Sequence, residues 1–160
     1  MNLEFYKEKL ETSEVYKNFL IKNPEAYLAS AFFTITLTDK TETAEVQLDY
    51  YNKTKFSVFS LNSGITLKEE ESAIPTAPEK LTHSNLDINE IPMICKSVLE
   101  KNNITEKITR ILAILTNNKE NIWGISIITA SMSVIKVKLN DSGELINFEK
   151  LNLFDFVKKS

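Results

Sequence analysis

The side chains that could do chemistry in this sequence are few and widely spaced. Cys95 is a candidate nucleophile and His83 a candidate general base, but the two are not neighbours in the sequence. The run Glu69, Glu70 and Glu71 has the carboxylates that suit calcium or magnesium. Consecutive carboxylates at a strand end usually face water, and a thiol on an apolar helix stripe is usually buried and inert. We therefore expect an inert Cys95, a solvated loop His83 and a solvated acidic run.

The composition excludes several classes of function. One cysteine and one histidine in 160 residues allow neither an internal disulfide nor a zinc site of the usual Cys/His kind. The three glycines form no phosphate-binding loop. A net charge of −3 and a single arginine, Arg110, provide no basic surface for nucleic acid or an anionic membrane. The sequence predicts no cofactor, no metal, no nucleic-acid partner and no membrane partner.

Three aromatic residues are the best candidates for a binding site. Trp123 lies beside Gly124 in a strand-like segment, and Tyr50 and Tyr51 end another such segment. A glycine inside a strand permits a bulge or the close approach of another group, and Trp and Tyr supply large contact areas at low entropic cost. These rings could equally pack in the core or at strand ends. As a binding hypothesis, the sequence assigns contact with a partner to Trp123, Tyr50 and Tyr51.

Two amphipathic helices are predicted. Their apolar residues recur at spacings of three and four, namely Val15, Tyr16, Phe19 and Leu20 in the first and Ile91, Ile94, Cys95, Val98 and Leu99 in the second. Ser13 is the expected N-cap of the first helix, whose pattern continues upstream through residues 3–10. Asp87 and Glu90 have the form of a capping box at the start of the second helix.

Four extended segments follow each helix. They are residues 26–38, 43–50, 55–61 and 65–69 in the first half, and 105–116, 122–129, 132–139 and 144–150 in the second. Alternation is clearest in VIKVKL, where Lys136 and Lys138 lie on one face and apolar residues on the other. The four segments of each half are therefore expected to form a sheet with one solvent-exposed face, and an amphipathic helix must cover the opposite face.

A similar turn sequence occurs twice, as LNSG at residues 61–64 and LNDSG at residues 139–143. Each copy lies between the third and fourth extended segments of its half, which indicates a weak internal repeat. We therefore predict an α+β fold of two pseudo-repeated αββββ units, each an antiparallel sheet packed by one helix. The units are residues 1–70 and residues 87–160, the second with a C-terminal tail. A proline-containing connector at residues 71–86 is expected to lie along the surface.

The second half, residues 87–150, resembles the PepSY module. This half has a helix, then a strand pair carrying IWGISII, then the segment IKVKLNDSGELINF. The closing hairpin of the module has alternating apolar residues, then an Asp or Asn, then a short turn with Gly and an acidic residue before the last strand. Residues 13–70 are similar more loosely, and NPEAYLASAFF with VQLDYYNKTKFSVF looks like small archaeal proteins with a tandem arrangement. The resemblance implies a PepSY-like, cystatin-like fold. Some PepSY modules lie in propeptides that inhibit peptidases, which implies an inhibitor-like role.

The predicted function is that of a non-enzymatic protein-binding or regulatory module of inhibitor-like kind. Its protein partner is unknown, and we expect a monomer or a weak homodimer. The alternative is a small enzyme or small-ligand-binding protein with its site in the cleft between helix and sheet or between the two units. The N-terminal residues lack the pattern of a signal peptide and no apolar run is long enough to span a membrane, so we expect a cytoplasmic location.

Overall fold

The fold is built on an antiparallel sheet of eight strands. The computed structural model of the chain describes residues 1–71 and 76–152, with Asn152 described by its backbone alone. The strands are β1 (Tyr27–Leu37), β2 (Glu42–Asn52), β3 (Lys55–Ser60), β4 (Thr66–Glu71), β5 (Ile108–Asn118), β6 (Glu120–Thr129), β7 (Ser133–Asn140) and β8 (Leu145–Asn152). Their order in the sheet is β4-β3-β2-β1-β5-β6-β7-β8. The eight predicted extended segments are therefore confirmed.

The described residues form three α-helices: α1 (Leu3–Glu11), α2 (Glu14–Lys22) and α3 (Ile91–Lys101). The predicted cap of α2 is confirmed, because the Ser13 hydroxyl accepts a hydrogen bond from the Tyr16 amide at 3.2 Å. The upstream pattern forms a separate helix rather than an extension of α2. The capping box does not form, since Asp87 caps a short 3-10 turn by accepting from the Asn89 amide at 2.8 Å, and Glu90 makes no side-chain cap at α3. None of these helices has the length and apolar character that crossing a membrane requires.

The prediction of two sheets, each packed by one helix, is wrong. Strand β1 pairs with β5 in an antiparallel register that runs from Ser30 opposite Thr116 to Thr36 opposite Arg110, so one sheet continues across both predicted units. Alternation along a strand shows which face is apolar but not which strand lies beside it. An unpaired β1 or β5 would expose a row of backbone donors and acceptors, and pairing the two strands removes both edges.

The core lies between the helices and one face of the sheet. Helix α1 contributes Tyr6, whose ring lies 5.8 Å from that of Phe33 on β1. Helix α2 contributes Phe19, whose ring lies 5.0 Å from that of Phe59 on β3 in an edge arrangement. Helix α3 buries four of the five residues of its predicted apolar stripe, and Ile94 is half-buried. Each such side chain stabilises the fold by roughly 1.5 to 3 kcal/mol.

The connector does not simply cover the surface, because two of its apolar residues enter the core. Leu81 and Leu86 are 1% and 3% exposed, and the Leu81 amide donates to the Leu28 carbonyl at 2.8 Å. This hydrogen bond holds the connector beside the first residues of β1, where Leu81 is buried although the segment around it is mostly polar. Residues 72–75 of the predicted connector, with Pro75, and residues 153–160 of the predicted tail lie outside the described residues.

Both copies of the repeated turn join the third and fourth strands of their meanders, as predicted. Gly64 and Gly143 have φ values of 103° and 82°, a conformation that favours glycine. Asn140 closes the second turn by accepting hydrogen bonds from the amides of Ser142 and Glu144, both at 2.9 Å. The recurrence of the turn is therefore confirmed, but the predicted repeat of a whole αββββ unit is wrong, because two helices precede the first four strands and one α-helix precedes the second four.

Candidate binding surface on the open face of the sheet

Trp123, the first of the predicted contact residues, lies in the core. Its side chain is 0% exposed, and its ring lies 5.7 Å from that of Phe33. The indole Nε1 donates a hydrogen bond to Asp141 Oδ1 at 3.1 Å, which satisfies its one polar atom. The structure therefore leaves no exposed Trp123 ring for a partner to contact.

Tyr50 and Tyr51 are also buried, but on opposite faces of the sheet. Tyr50 is 3% exposed and packs against Tyr16 and Phe59 beneath α2, and this burial raises the pKa of its hydroxyl. Tyr51 is 9% exposed and lies between Tyr27 and Phe56. The structure does not bring the three predicted aromatic residues together on one surface.

The other residues singled out by chemical type take the positions that the sequence predicts. Cys95 is fully buried, and desolvation raises the pKa of its thiol to about 12, so the reactive thiolate is suppressed. His83 is exposed in the connector, and Glu69 to Glu71 are exposed on β4. In residues 1–71 and 76–152, no cluster of three or more His, Cys, Asp or Glu side chains has the geometry to hold a metal ion.

The two faces of the sheet differ in what lies on them. The helices pack on one face, which we call the covered face, and we call the opposite face the open face. Strand register aligns two rows of side chains across the middle of the open face. The rows are Phe32, Ile114, Gly124 and Lys138, and beside them Thr34, Leu112, Ser126 and Lys136.

The centre of the open face is apolar. Leu112 and Ile114 are each 37% exposed, and Phe32 lies half-buried beside Ile114 on the neighbouring strand. We call these three residues the apolar centre. Sequence reasoning missed this surface, although the run ILAIL at residues 111–115 contains its signal. An unbroken apolar run, rather than an alternating one, indicates a strand with apolar side chains on both faces.

Charged residues flank the apolar centre on two sides. Lys136 and Lys138 lie on β7, and neither forms an ion pair within 4 Å among the described residues. On the other side the exposed Glu45 lies on β2 opposite Thr34 of β1, and Asp49, which is 8% exposed, lies further along the same face of β2. The rim is therefore basic toward β7 and acidic toward β2, which gives the open face an electrostatic direction.

Asp49 is the most perturbed acid of the open face. It is 8% exposed and accepts hydrogen bonds from Gln47 Nε2 at 3.0 Å and Ser30 Oγ at 3.4 Å. Burial raises its pKa to about 6, the charge of Glu70 acts in the same direction, and the two hydrogen bonds oppose the rise. The negative charge of Asp49 itself therefore depends on pH near neutrality.

A groove of about 860 Å³ lies between α3 and the sheet. Apolar side chains from α3, from one end each of β1 and β5 and from the loop after α3 line it, among them Leu37, Met93, Leu99, Ile104 and Ile108. Its size is in the range of small-molecule sites. Two of its charged residues are already paired, Lys107 with Asp39 and Glu106 with Lys150.

Glu106, at the rim of this groove, is the centre of a polar network. Its carboxylate accepts hydrogen bonds from Thr129 Oγ1 at 2.8 Å and from Lys150 Nζ at 3.1 Å, and these donors hold its pKa down at about 2. A general base works best with a pKa near the operating pH. The carboxylate is therefore ionised at neutral pH, and the network joins the loop before β5 to β6 and β8.

The comparisons with known proteins show the fold alone. No family model and no curated protein matches the chain. The chain is similar to the crystal structure of a putative lipoprotein from Clostridium difficile 630, with 12% sequence identity and a TM-score of 0.50 over 86% of this chain and 91% of that one. At this identity the likeness concerns the arrangement of the sheet and helices. It carries no residue roles to this chain.

Proposed function

We propose that this chain is a non-enzymatic protein-binding module whose contact surface is the open face of the sheet. The observation that carries the proposal is the apolar centre between two charged rims of opposite sign. Protein interfaces have this anatomy, with apolar contacts at the centre and polar residues around them. The opposite charges of Lys138 and Glu45 would favour one orientation of the partner over the reverse.

Two of the candidate reactive groups are poorly suited to catalysis. The thiol of Cys95 is buried with a raised pKa, and the pKa of the Glu106 carboxylate is held well below the usual range. Binding of an inhibitor-like kind, which the resemblance to PepSY modules implies, is one form of this function. A monomer or weak homodimer and a cytoplasmic location remain predictions, to be tested by light scattering after size exclusion and by fractionation of the source cells.

The test is photo-crosslinking from the open face. A benzophenone amino acid replaces Thr34, which lies beside Leu112 in the sheet, or Lys17 on the exposed side of α2. Crosslinking in source-cell lysate, read by mass spectrometry, is expected to yield a partner from position 34 and not from position 17. Leu112→Lys should abolish this crosslink, because a charge placed in an apolar interface centre must be desolvated.

The matched control is Ile21→Lys. Ile21 is an apolar residue on α2 with 79% exposure, so it receives the same change of side chain away from the open face. The crosslink from position 34 should survive in this variant. Equal capture by the original chain, Leu112→Lys and Ile21→Lys would contradict the proposed function.

The groove beneath α3 supports a second candidate function, the binding of a small apolar ligand. Met93 lines it and is 72% exposed, and a flexible thioether adapts to ligands of different shape. The chain has three methionines, so methyl NMR gives a separable probe of this site. Decanoate should shift the Met93 methyl signal and leave that of Met132, which lies in the β6–β7 turn. Equal shifts of both signals would count against a specific site.

A further inference from the structure

Within the described residues, neither the backbone conformation nor a close contact requires a glycine at position 124. Its φ lies outside the left-handed region, and a Cβ built on it would meet nothing within 4 Å. The ladders through Gly124 are regular, with Ile114 opposite on β5 and Lys138 opposite on β7. A glycine inside a strand otherwise marks a bulge, a strained backbone or the close approach of another group. The first two are excluded here, and no described residue makes the third, so the open position above Gly124 is free for an approaching group.

The missing side chain leaves a dent in the open face. Its volume is about 290 Å³, with Gly124 as its floor, Ile114 as its apolar wall and Lys136 and Lys138 on the β7 side. Ser126, Asn147 and Glu149 complete the polar part of the lining. The dent therefore lies beside the apolar centre and can accept a single side chain rather than a whole strand or helix.

We propose that the dent over Gly124 is the pocket for an aromatic anchor of the protein partner, with an acidic group beside the ring. An aromatic ring fits an apolar wall and a floor of bare backbone, and rings in such pockets dominate interface energetics. Two lysines against one glutamate leave the lining net positive, which favours a carboxylate next to the ring. This inference rests on the proposed function of the open face and names the chemistry of its partner.

The direct test uses N-acetyl-phenylalaninate as the probe, followed by amide NMR up to its solubility limit. The amides of Gly124, Ile114 and Lys138 are expected to shift together. N-acetyl-leucinate, which lacks the ring, and N-acetyl-phenylalaninamide, which lacks the charge, should each bind several-fold more weakly. Shifts at Gly124 no larger than those elsewhere in the sheet, or no preference among the three probes, would overturn the proposal.

Gly124→Val is the decisive variant, because it fills the dent while the backbone and surroundings accommodate a side chain. It should remove the probe-induced shifts and the crosslink from position 34. Thr36→Val, on the same face of the sheet but outside the lining of the dent, is the matched control and should leave the probe shifts unchanged. If Leu112→Lys loses the crosslink and Gly124→Val keeps it, the dent is not the anchor pocket. The proposed function of the open face would still hold in that case. Retention in both variants would overturn the proposed function itself.

Discussion

The indole of Trp123 and the carboxylate of Asp141 are joined by a hydrogen bond of 3.1 Å. Asp141 is the residue by which the second copy of the repeated turn exceeds the first. Its carboxylate also accepts from Ser84 Oγ at 2.5 Å, the Asn85 amide at 2.8 Å and Asn121 Nδ2 at 3.2 Å. The inserted residue thus ties the connector and β6 to the last hairpin.

Asp141→Asn should lower the free energy of unfolding by about 2 kcal/mol or more. The amide has the same shape but one acceptor oxygen in place of two, so some of the donors around Asp141 would lose their partner. Urea unfolding followed by the fluorescence of Trp123, the one tryptophan, measures the change. Glu120→Gln, an exposed carboxylate in the same region, should change stability by less than about 0.5 kcal/mol. Equal effects of the two variants would contradict this account of Asp141.

Asp49→Asn should change how stability depends on pH. The pKa of Asp49 is raised to about 6 in the folded protein, from 3.8 for an ordinary aspartate, so the folded state holds the proton more tightly than the unfolded chain. The contribution of Asp49 to the unfolding free energy therefore falls as pH rises from about 4 to about 6 and stays low above that. Asp49→Asn removes this dependence and should stabilise the protein at neutral pH by up to about 3 kcal/mol.

Thermal unfolding of the original chain and Asp49→Asn between pH 4 and pH 8 measures this difference. Glu45→Gln, an exposed residue on the same strand, provides the control and should leave the pH profile unchanged. Parallel pH profiles for the original chain and Asp49→Asn would show that the carboxyl titrates at its usual pKa.

Cys95→Ser should lower the free energy of unfolding by roughly 1 to 3 kcal/mol while leaving any binding activity unchanged. The side chain is fully buried on the apolar stripe of α3, where a hydroxyl is costlier than a thiol. Chemical denaturation measures the loss. Thiol titration of the native protein should also be slow and should accelerate only in denaturant. Loss of binding at unchanged stability would assign the thiol a functional role instead.

Gly124→Ala and Gly64→Ala should have opposite effects on stability. Neither new Cβ meets an atom within 4 Å, but Gly64 has a φ of 103° and Gly124 lies in an ordinary strand conformation. Gly124→Ala should raise the unfolding free energy by about 0.5 to 1 kcal/mol by restricting the unfolded chain, and Gly64→Ala should lower it by about 1 to 2 kcal/mol. Destabilisation of both proteins to the same extent in urea would mean that Gly124 has a structural role after all.

The sequence by itself determined the elements that depend on neighbouring residues. The N-cap of α2 at Ser13 follows from a hydroxyl that bonds an amide three residues ahead, and the turn at Gly143 follows from a conformation that favours glycine. The alternation around Lys136 and Lys138 correctly placed both lysines on one face. Burial of Cys95 followed in the same way from its helical spacing.

Only the tertiary structure decided which elements meet. The pairing of β1 with β5 joins residues about 80 positions apart along the chain, and no local pattern specifies that partner. That pairing places Phe32 beside Ile114 and creates the apolar centre of the open face. It also brings Trp123 against Phe33, so the most prominent aromatic candidate became a core residue. Periodicity reports the face of a strand, whereas the exposure of that face depends on every element packed across it.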